Sequence, residues 1–404
     1  MDEADTAKVI ERLPPLGRDL VRLPWSTPHP IPDALRAIAN RCTASQERQR
    51  YQAARTLLRA LEGWRQSDAQ GSGGPLALLL DRLRTVGHLP AMPGVTARVA
   101  KLIGSEGQRT DEMAEEVLND MALSFELLRT VNSAQVLGSQ ISGNGPVLTV
   151  RRAIALLGVN GVRAAANALR GWPGPLNEAN AAALQRCVDQ VRLAGHTAQA
   201  LRPAGYDPEV AFIVTALQNL GRLLVQYHFP DEAAQVRQLM QAAPPPPGSE
   251  PGTPEQPGMS EEGAAYAVLG VDIDELGAAV ARHWGLGDEV QLMMRRLPLG
   301  KPVRQADGDA DLLRCTASAA NEVVDSTRLP AARQAAALTV IAQRYGRVLA
   351  VNPRDVADAL QGARHAFRSG TPVVPTSRVG NDEAPATSTA ATYGVGDDDA
   401  AAAA

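Results

Sequence analysis

Apolar residues recur along this chain at spacings of three and four, and no stretch sustains the alternation of a β-strand. Leu76, Leu79, Leu80 and Leu83 make one stripe, and Val95, Val99, Leu102 and Ile103 make another, opened by Pro93-Gly94. That period puts each set on one face of a helix. Boundary residues agree with it. Thr110 precedes Asp111 and Glu112, an N-cap followed by carboxylates at the positive end of the helix dipole, with Met113, Val117 and Leu118 on the buried side. Thr149 is expected to open a helix with Val150, Ile154 and Leu157 inward, and Gly158 to end it. The stretches 184–201, 208–226, 261–269, 274–284 and 309–327 read the same way. Hydrophobic residues are 45% of the 404, yet aromatics are only 3%. A core must therefore be assembled from Ala, Leu, Val and Ile, which suits closely packed helices better than strands. The expectation is an all-α chain.

Charge and cysteine usage narrow the class. The formal net charge is −4, so no basic field covers the chain and non-specific nucleic-acid binding is not indicated. Cys42, Cys187 and Cys315 are few and scattered, which fits a reducing cytoplasm and not a disulfide framework. The opening residues MDEADTAKVIERLPP lack the apolar run of a signal peptide, and no segment approaches the roughly 20 apolar residues of a membrane span. A cytoplasmic protein without membrane attachment is expected. Three stretches read as linkers: the small polar run 67–74, the proline-rich run 244–258, and the tail from 369 to 404, expected to be disordered.

Four segments carry a more specific signal. They are Gly87-His88-Leu89-Pro90-Ala91-Met92-Pro93; Asn119-Asp120-Met121-Ala122-Leu123-Ser124; the run from Leu127 to Ala134, which contains Asn132-Ser133; and the run from Ala153 to Asn160, which contains Gly158. Taken singly, Asn132-Ser133 reads as a helix stop made by side-chain bonding to the backbone, and Leu156-Leu157-Gly158 as an ordinary helix end. In this order and spacing the four resemble the HDOD family, the HD-related output domains of bacterial signalling proteins. The likeness continues to about residue 300. It implies an HD-like helical bundle with an N-terminal helical segment and a C-terminal helical extension. The layout expected is 1–66 for the N-terminal segment, 67–75 for a linker, 76–300 for the HDOD domain with the loop 244–258 inside it, 301–368 for the extension, and 369–404 for the tail.

HDOD domains are similar to HD-type metal-dependent phosphohydrolases, in which His and Asp from several helices hold divalent metal and the metal acidifies a bound water. The resemblance places the ligand positions here on residues of other kinds. Gln218-Asn219 stand where an adjacent His-Asp pair is expected. Asp189 or Gln190 fills the place of the first His, Ile273 that of another, and Arg295-Arg296 that of a His-His pair. Amide oxygens are poor ligands for transition metals, and two guanidiniums repel a cation. The histidines, His29, His88, His196, His228, His283 and His365, show no HxH, HxxxH or HExxH spacing and read as structural. No catalytic residue, metal or cofactor is expected, and residues 309–365 read as a further bundle without a site.

A second resemblance lies in residues 13–64. Leu23-Pro24-Trp25-Ser26, the helix from Ile31 to Cys42 and the helix from Arg48 to Leu61 look like the end of a serine/threonine protein-kinase C-lobe, with Arg50 matching its buried arginine. Nothing upstream supplies a phosphate loop, an HRD or a DFG segment, so the likeness implies a remnant. Together these expectations describe a non-catalytic regulatory module that contacts signalling or regulatory proteins, a kinase among the candidates, with room for a small ligand in the remnant cavity. The alternatives are a divergent metal-dependent phosphohydrolase and a pseudokinase-linked scaffold.

Overall fold

Small side chains set the distances between helices in this protein. The structure is a computed structural model that describes residues 75–103, 110–137, 146–242 and 258–369, with short stretches between 38 and 61. The elements are α1 (Pro75–Val86), α2 (Val95–Ile103), α3 (Thr110–Leu118), α4 (Met121–Leu137), α5 (Val150–Ala168), α6 (Glu178–Leu201), α7 (Pro208–Leu217), α8 (Leu220–His228), α9 (Pro230–Leu239), α10 (Glu261–Leu269), α11 (Ile273–His283), α12 (Asp288–Met294), α13 (Asp309–Ser326), α14 (Ala331–Leu349) and α15 (Pro353–Ser369). The fold is all-α. Among the described residues the only strand-like pairing is an isolated bridge between Ala91 and Gly171, and no helix is long and apolar enough to cross a membrane.

The chain divides into two compact units, Met1–Val86 with His228–Leu276, and Gly87–Tyr227 with Gly277–Ala404. In the first, α9 packs on α10. Arg41 is buried there, donates to the carbonyl of Val268 at 3.4 Å and to the side chain of Gln235, and stacks 4.2 Å from the centre of the Tyr51 ring. The kinase-like reading took Arg50 for the buried arginine, but Arg50 is exposed. Most of residues 13–64 lie outside the described residues, as do the linker 67–74, the proline-rich loop up to residue 257, and the tail from 370.

In the second unit α6 is the central helix, packed by α7, α13 and α15. Ala194, Ala198 and Leu201 of α6 share one buried cluster with Ala319, Ala320 and Val323 of α13, Tyr345 of α14, and Ala359 and Leu360 of α15. Alanines at these positions let the axes approach without leaving voids. Gly277 of α11 lies so close to α8 that a Cβ there would come 2.8 Å from the backbone nitrogen of Gly221.

The family segments build the other half of this unit, where α4 and α3 pack on α5. Asp120 caps α4, accepting from the Leu123 amide at 2.8 Å and the Met92 amide at 2.6 Å. Asn132 reaches the segment before α5. Its Nδ2 donates to the carbonyls of Leu128 (2.8 Å) and Val147 (3.0 Å), and its Oδ1 accepts from the Val147 amide at 2.9 Å. Thr149 caps α5 as expected, accepting from the Arg152 amide at 3.3 Å. Gly158 breaks the helical geometry with φ 65° and ψ 175°, and helix resumes directly after it up to Ala168. That positive φ is the reason for glycine here.

Candidate functional site

The helix expected over 208–226 is two helices, and the interruption falls on Gln218-Asn219. Gln218 (φ −61°, ψ −14°) caps α7, and the Asn219 amide bonds the Ala216 carbonyl at 2.9 Å in a tightened turn. Helix α8 then starts, with the Leu223 amide on the Asn219 carbonyl at 3.0 Å. Both side chains are buried, 2% and 4% exposed. An uncompensated amide in such a place would be costly, so the question is where their hydrogen bonds go.

They meet at Asn321 of α13, which bonds both side chains, and the rest go to nearby carbonyls, Ser318 and Arg296. Gln218 Nε2 donates to the Met293 carbonyl at 2.9 Å and, at 3.3 Å each, to the Arg314 carbonyl and Ser318 Oγ. Its Oε1 accepts from Asn321 Nδ2 at 3.0 Å. Asn219 Nδ2 donates to Asn321 Oδ1 at 2.8 Å and to the Thr215 carbonyl at 2.9 Å. Its Oδ1 accepts from Arg296 Nη2. Ser318 Oγ accepts from the Leu297 amide at 3.1 Å. The donors and acceptors of both amides are thus engaged in one network.

Charge enters at the edge. Arg296 Nη1 donates to Asp325 at 3.0 Å, and Arg328 stands 3.7 Å from Asp325 while donating to Gln190. Beside them Glu322 accepts from the Tyr345 hydroxyl at 2.6 Å and pairs with Arg344. Burial raises the Glu322 carboxyl above its ordinary range, against the pull of Tyr345 and Arg344.

Of the positions the resemblance singled out, the structure joins Gln190, Gln218, Asn219 and Arg296 through these bonds. Asp189 is turned to Gln185, 2.8 Å away on its own helix. Arg295 is exposed and contributes its carbonyl, which accepts from Arg314 Nε at 2.7 Å. Ile273 is buried in the first unit, at the start of α11. Asn132 and Gly158 shape the approach to α5, and Ser133 is half-buried on α4.

The reading of 309–365 as a stretch without a site needs correction, because Ser318, Asn321 and Asp325 of α13 complete the network. A signal was available. Asp311, Arg314, Ser318, Asn321 and Asp325 recur at three and four, a polar stripe through a helix otherwise rich in Ala and Val. A second polar contact of the unit joins Trp284 Nε1, which donates to His88 Nε2 at 3.1 Å, with the rings edge to face at 5.3 Å. Burial holds His88 down to about 4, although Glu126 stands 3.9 Å from its Nδ1. His88 is therefore a neutral acceptor for a buried indole.

A family model, the HDOD domain, matches residues 89–297, just over half of the chain. The chain belongs to the HDOD family. Among solved structures this HDOD chain is similar to the MmoQ response regulator of Methylococcus capsulatus str. Bath, at 19% identity over 67% of this chain and 97% of that one, with a TM-score of 0.48. It is also similar to a virulence factor of Campylobacter jejuni subsp. jejuni, at 16% identity over 73% and 97%, with a TM-score of 0.48. An HDOD domain protein of Geobacter sulfurreducens matches at 16% identity over 73% and 97%, with a TM-score of 0.33. No curated protein sequence matches the chain. The HDOD match begins at residue 89 and lends no support to the kinase-like likeness upstream of it.

The side chains gathered around Gln218 and Asn219 do not fit the divalent metal of an HD-type enzyme. They are amides and a serine hydroxyl, with a guanidinium among them and no imidazole. Among the described residues no group of three or more His, Cys, Asp or Glu is placed to hold an ion.

Proposed function

We propose that this HDOD protein is a non-catalytic signalling module that acts by contact with other proteins. One observation carries the reading: the polar atoms of Gln218 and Asn219 are turned toward Asn321, Ser318 and Arg296, so the pair that should serve a metal serves the packing of α13. Hydrolysis at an HD centre needs a bound water made acidic by metal, and neutral amides committed to one another offer neither ligands nor a base. A small apolar cavity elsewhere in the second unit, lined by Leu89, Met92, Met121, Trp172, Leu184 and Val188, has about 10 Å³, which is water-sized. Helical surface is a common docking site for a partner segment, which supports the contact reading.

The test is elemental analysis of the purified full chain, together with turnover of a generic phosphodiester in manganese. We expect no stoichiometric metal and no turnover. Bound metal, with turnover that disappears in Asp189→Ala, would make the chain a divergent phosphohydrolase and end this reading. The regulatory half predicts a protein that co-purifies with the intact chain from its host. A chain recovered alone counts against it.

A further inference from the structure

The remnant centre has lost its ligands without becoming apolar, and the residue that organises its oxygens is a cation. We infer that the Arg296 guanidinium takes the place of the metal ion, a built-in cation where an HD-type centre would bind one. The inference rests on the non-catalytic reading above and says what replaced the chemistry.

The geometry has three parts. The resemblance assigns Asn219 to the position of the metal-binding Asp, and the side-chain oxygen at that position is the one that accepts from Arg296 Nη2. The same guanidinium reaches a carboxylate, Asp325 Oδ2, at 3.0 Å, so it bridges two oxygens from two elements as a metal would. Its side chain is only 18% exposed although it carries a full charge. A guanidinium offers planar, directional donors and is always ionised, which suits it to a fixed cationic position.

The guanidinium also has a carboxylate partner. A divalent ion calls for anionic ligands, whereas one guanidinium is neutralised by one carboxylate. Asp325 supplies that carboxylate, and Gln218, Asn219, Asn321 and Ser318 add dipoles without charge. Arg328, 3.7 Å from Asp325, lies at the exposed edge of the pair. Because Ser318, Asn321 and Asp325 all sit on α13, this arrangement ties the C-terminal extension to the break between α7 and α8. A metal could not enter unless the guanidinium left, since both would claim the same oxygen and repel each other.

The experiment is a thermal-denaturation series on the full chain, with and without manganese. Asn219→Asp alone, with Arg296 present, turns an ion–dipole bond into an ion pair, while the carbonyl of Thr215 and Asn321 Oδ1 lose their donor. The ion pair offsets that loss, so Tm is expected to fall by no more than about 2–4 °C, with no change on adding manganese. In an Arg296→Ala background the same Asn219→Asp substitution buries a carboxylate that has lost its guanidinium. Tm is expected to fall further, and manganese to restore that difference. Equal effects of Asn219→Asp in both backgrounds would overturn the inference, as would a manganese-dependent rise with Arg296 intact, or none when Arg296 is gone. If Arg296→Ala does not fold, Arg296→Lys replaces it: the charge survives with one donor group, and Asn219→Asp must lower Tm by more than it does beside Arg296, with no recovery in manganese. An equal fall, or a recovery in manganese, overturns the inference too. Metal or turnover in the unaltered protein would instead sink the non-catalytic reading, so the two failures are distinguishable.

Discussion

Two buried polar centres of the second unit solve different problems. Around the start of α5, Asn132 and Glu209 bind backbone. Asn132 exchanges hydrogen bonds with both polar groups of Val147, and Glu209 Oε1 accepts from the amides of Val150 and Arg151. Around the break between α7 and α8, side chains bind one another as well as backbone, with Gln218, Asn219, Asn321, Ser318 and Arg296 linked in one network. The difference lies in what mutation can undo. A backbone partner is always present, so a lost side chain leaves it orphaned. A side-chain partner can be removed along with its mate, and the loss then partly cancels. The first centre is thus committed to the fold. In the second, a bonded pair of side chains can be changed together.

The most severe way to break the comparison is Asn132→Leu. Val147 is fully buried, and the substitution strips its amide and its carbonyl of their partners in one step. Two orphaned backbone groups imply a loss of about 4 kcal/mol, a large share of the stability of a domain. Denaturant unfolding monitored by circular dichroism checks it. A loss under about 1 kcal/mol would mean that water replaces the clamp.

The same contrast decides what could be read in the sequence. Thr149 and Gly158 act on backbone within a few residues of themselves, so spacing and residue type reveal them: a cap must precede its helix, and a positive φ asks for glycine. Asn132 reads as a helix stop, but α4 runs on through it to Leu137, because its amide bonds Leu128 of the same helix and Val147, 15 residues on. The network gave up only half of itself. Gln218 and Asn219 stood out because they fall where a His-Asp pair is expected. Asn321 is 102 residues from Asn219 and belongs to no motif. The break at 218–219 was equally hidden, since the apolar period runs on through it from Phe212 to Leu224. Periodicity reports which face is buried, and it is blind to a turn that keeps that face.

Glu209 sharpens the comparison through pH. It is buried, and burial pushes its carboxyl from the ordinary 4.5 up to about 7, against the Arg151 amide and charge and the Val150 amide, with Asp207 adding to the rise. Arg151 stands 3.5 Å away and is itself close to Asp111. With the folded value above the unfolded one, the native chain holds the extra proton between the two. Stability contributed by that proton is complete below pH 4.5, declines as pH rises, and is lost above about 7. Each unit is worth about 1.4 kcal/mol, so the decline attributable to this group is about 3 kcal/mol. Glu209→Gln keeps an oxygen for the two amides and cannot titrate. Unfolding free energies measured on either side of the window should differ in the parent by that amount more than in the variant. Equal slopes would show that Glu209 stays ionised throughout.

The smallest expected effect tests the other centre. Gln218→Leu leaves Asn321 Nδ2 and the Met293 carbonyl in search of partners, and Asn321→Leu does the same to Gln218 Oε1 and Asn219 Nδ2. Each substitution alone should cost about 2 kcal/mol, because a buried group is orphaned. The bond of 3.0 Å between Asn321 and Gln218 is counted in both losses. Made together, the two leucines remove that donor and its acceptor at once and fill similar volume, so the double variant should be more stable than the sum by about 1 kcal/mol. No equivalent rescue exists for Asn132, whose partner Val147 offers only backbone. Strict additivity at 218 and 321 would erase the distinction between the two centres. It would mean that Gln218 is held by the carbonyls of Met293 and Arg314, as Asn132 is held by Val147, and that the network is a second backbone clamp.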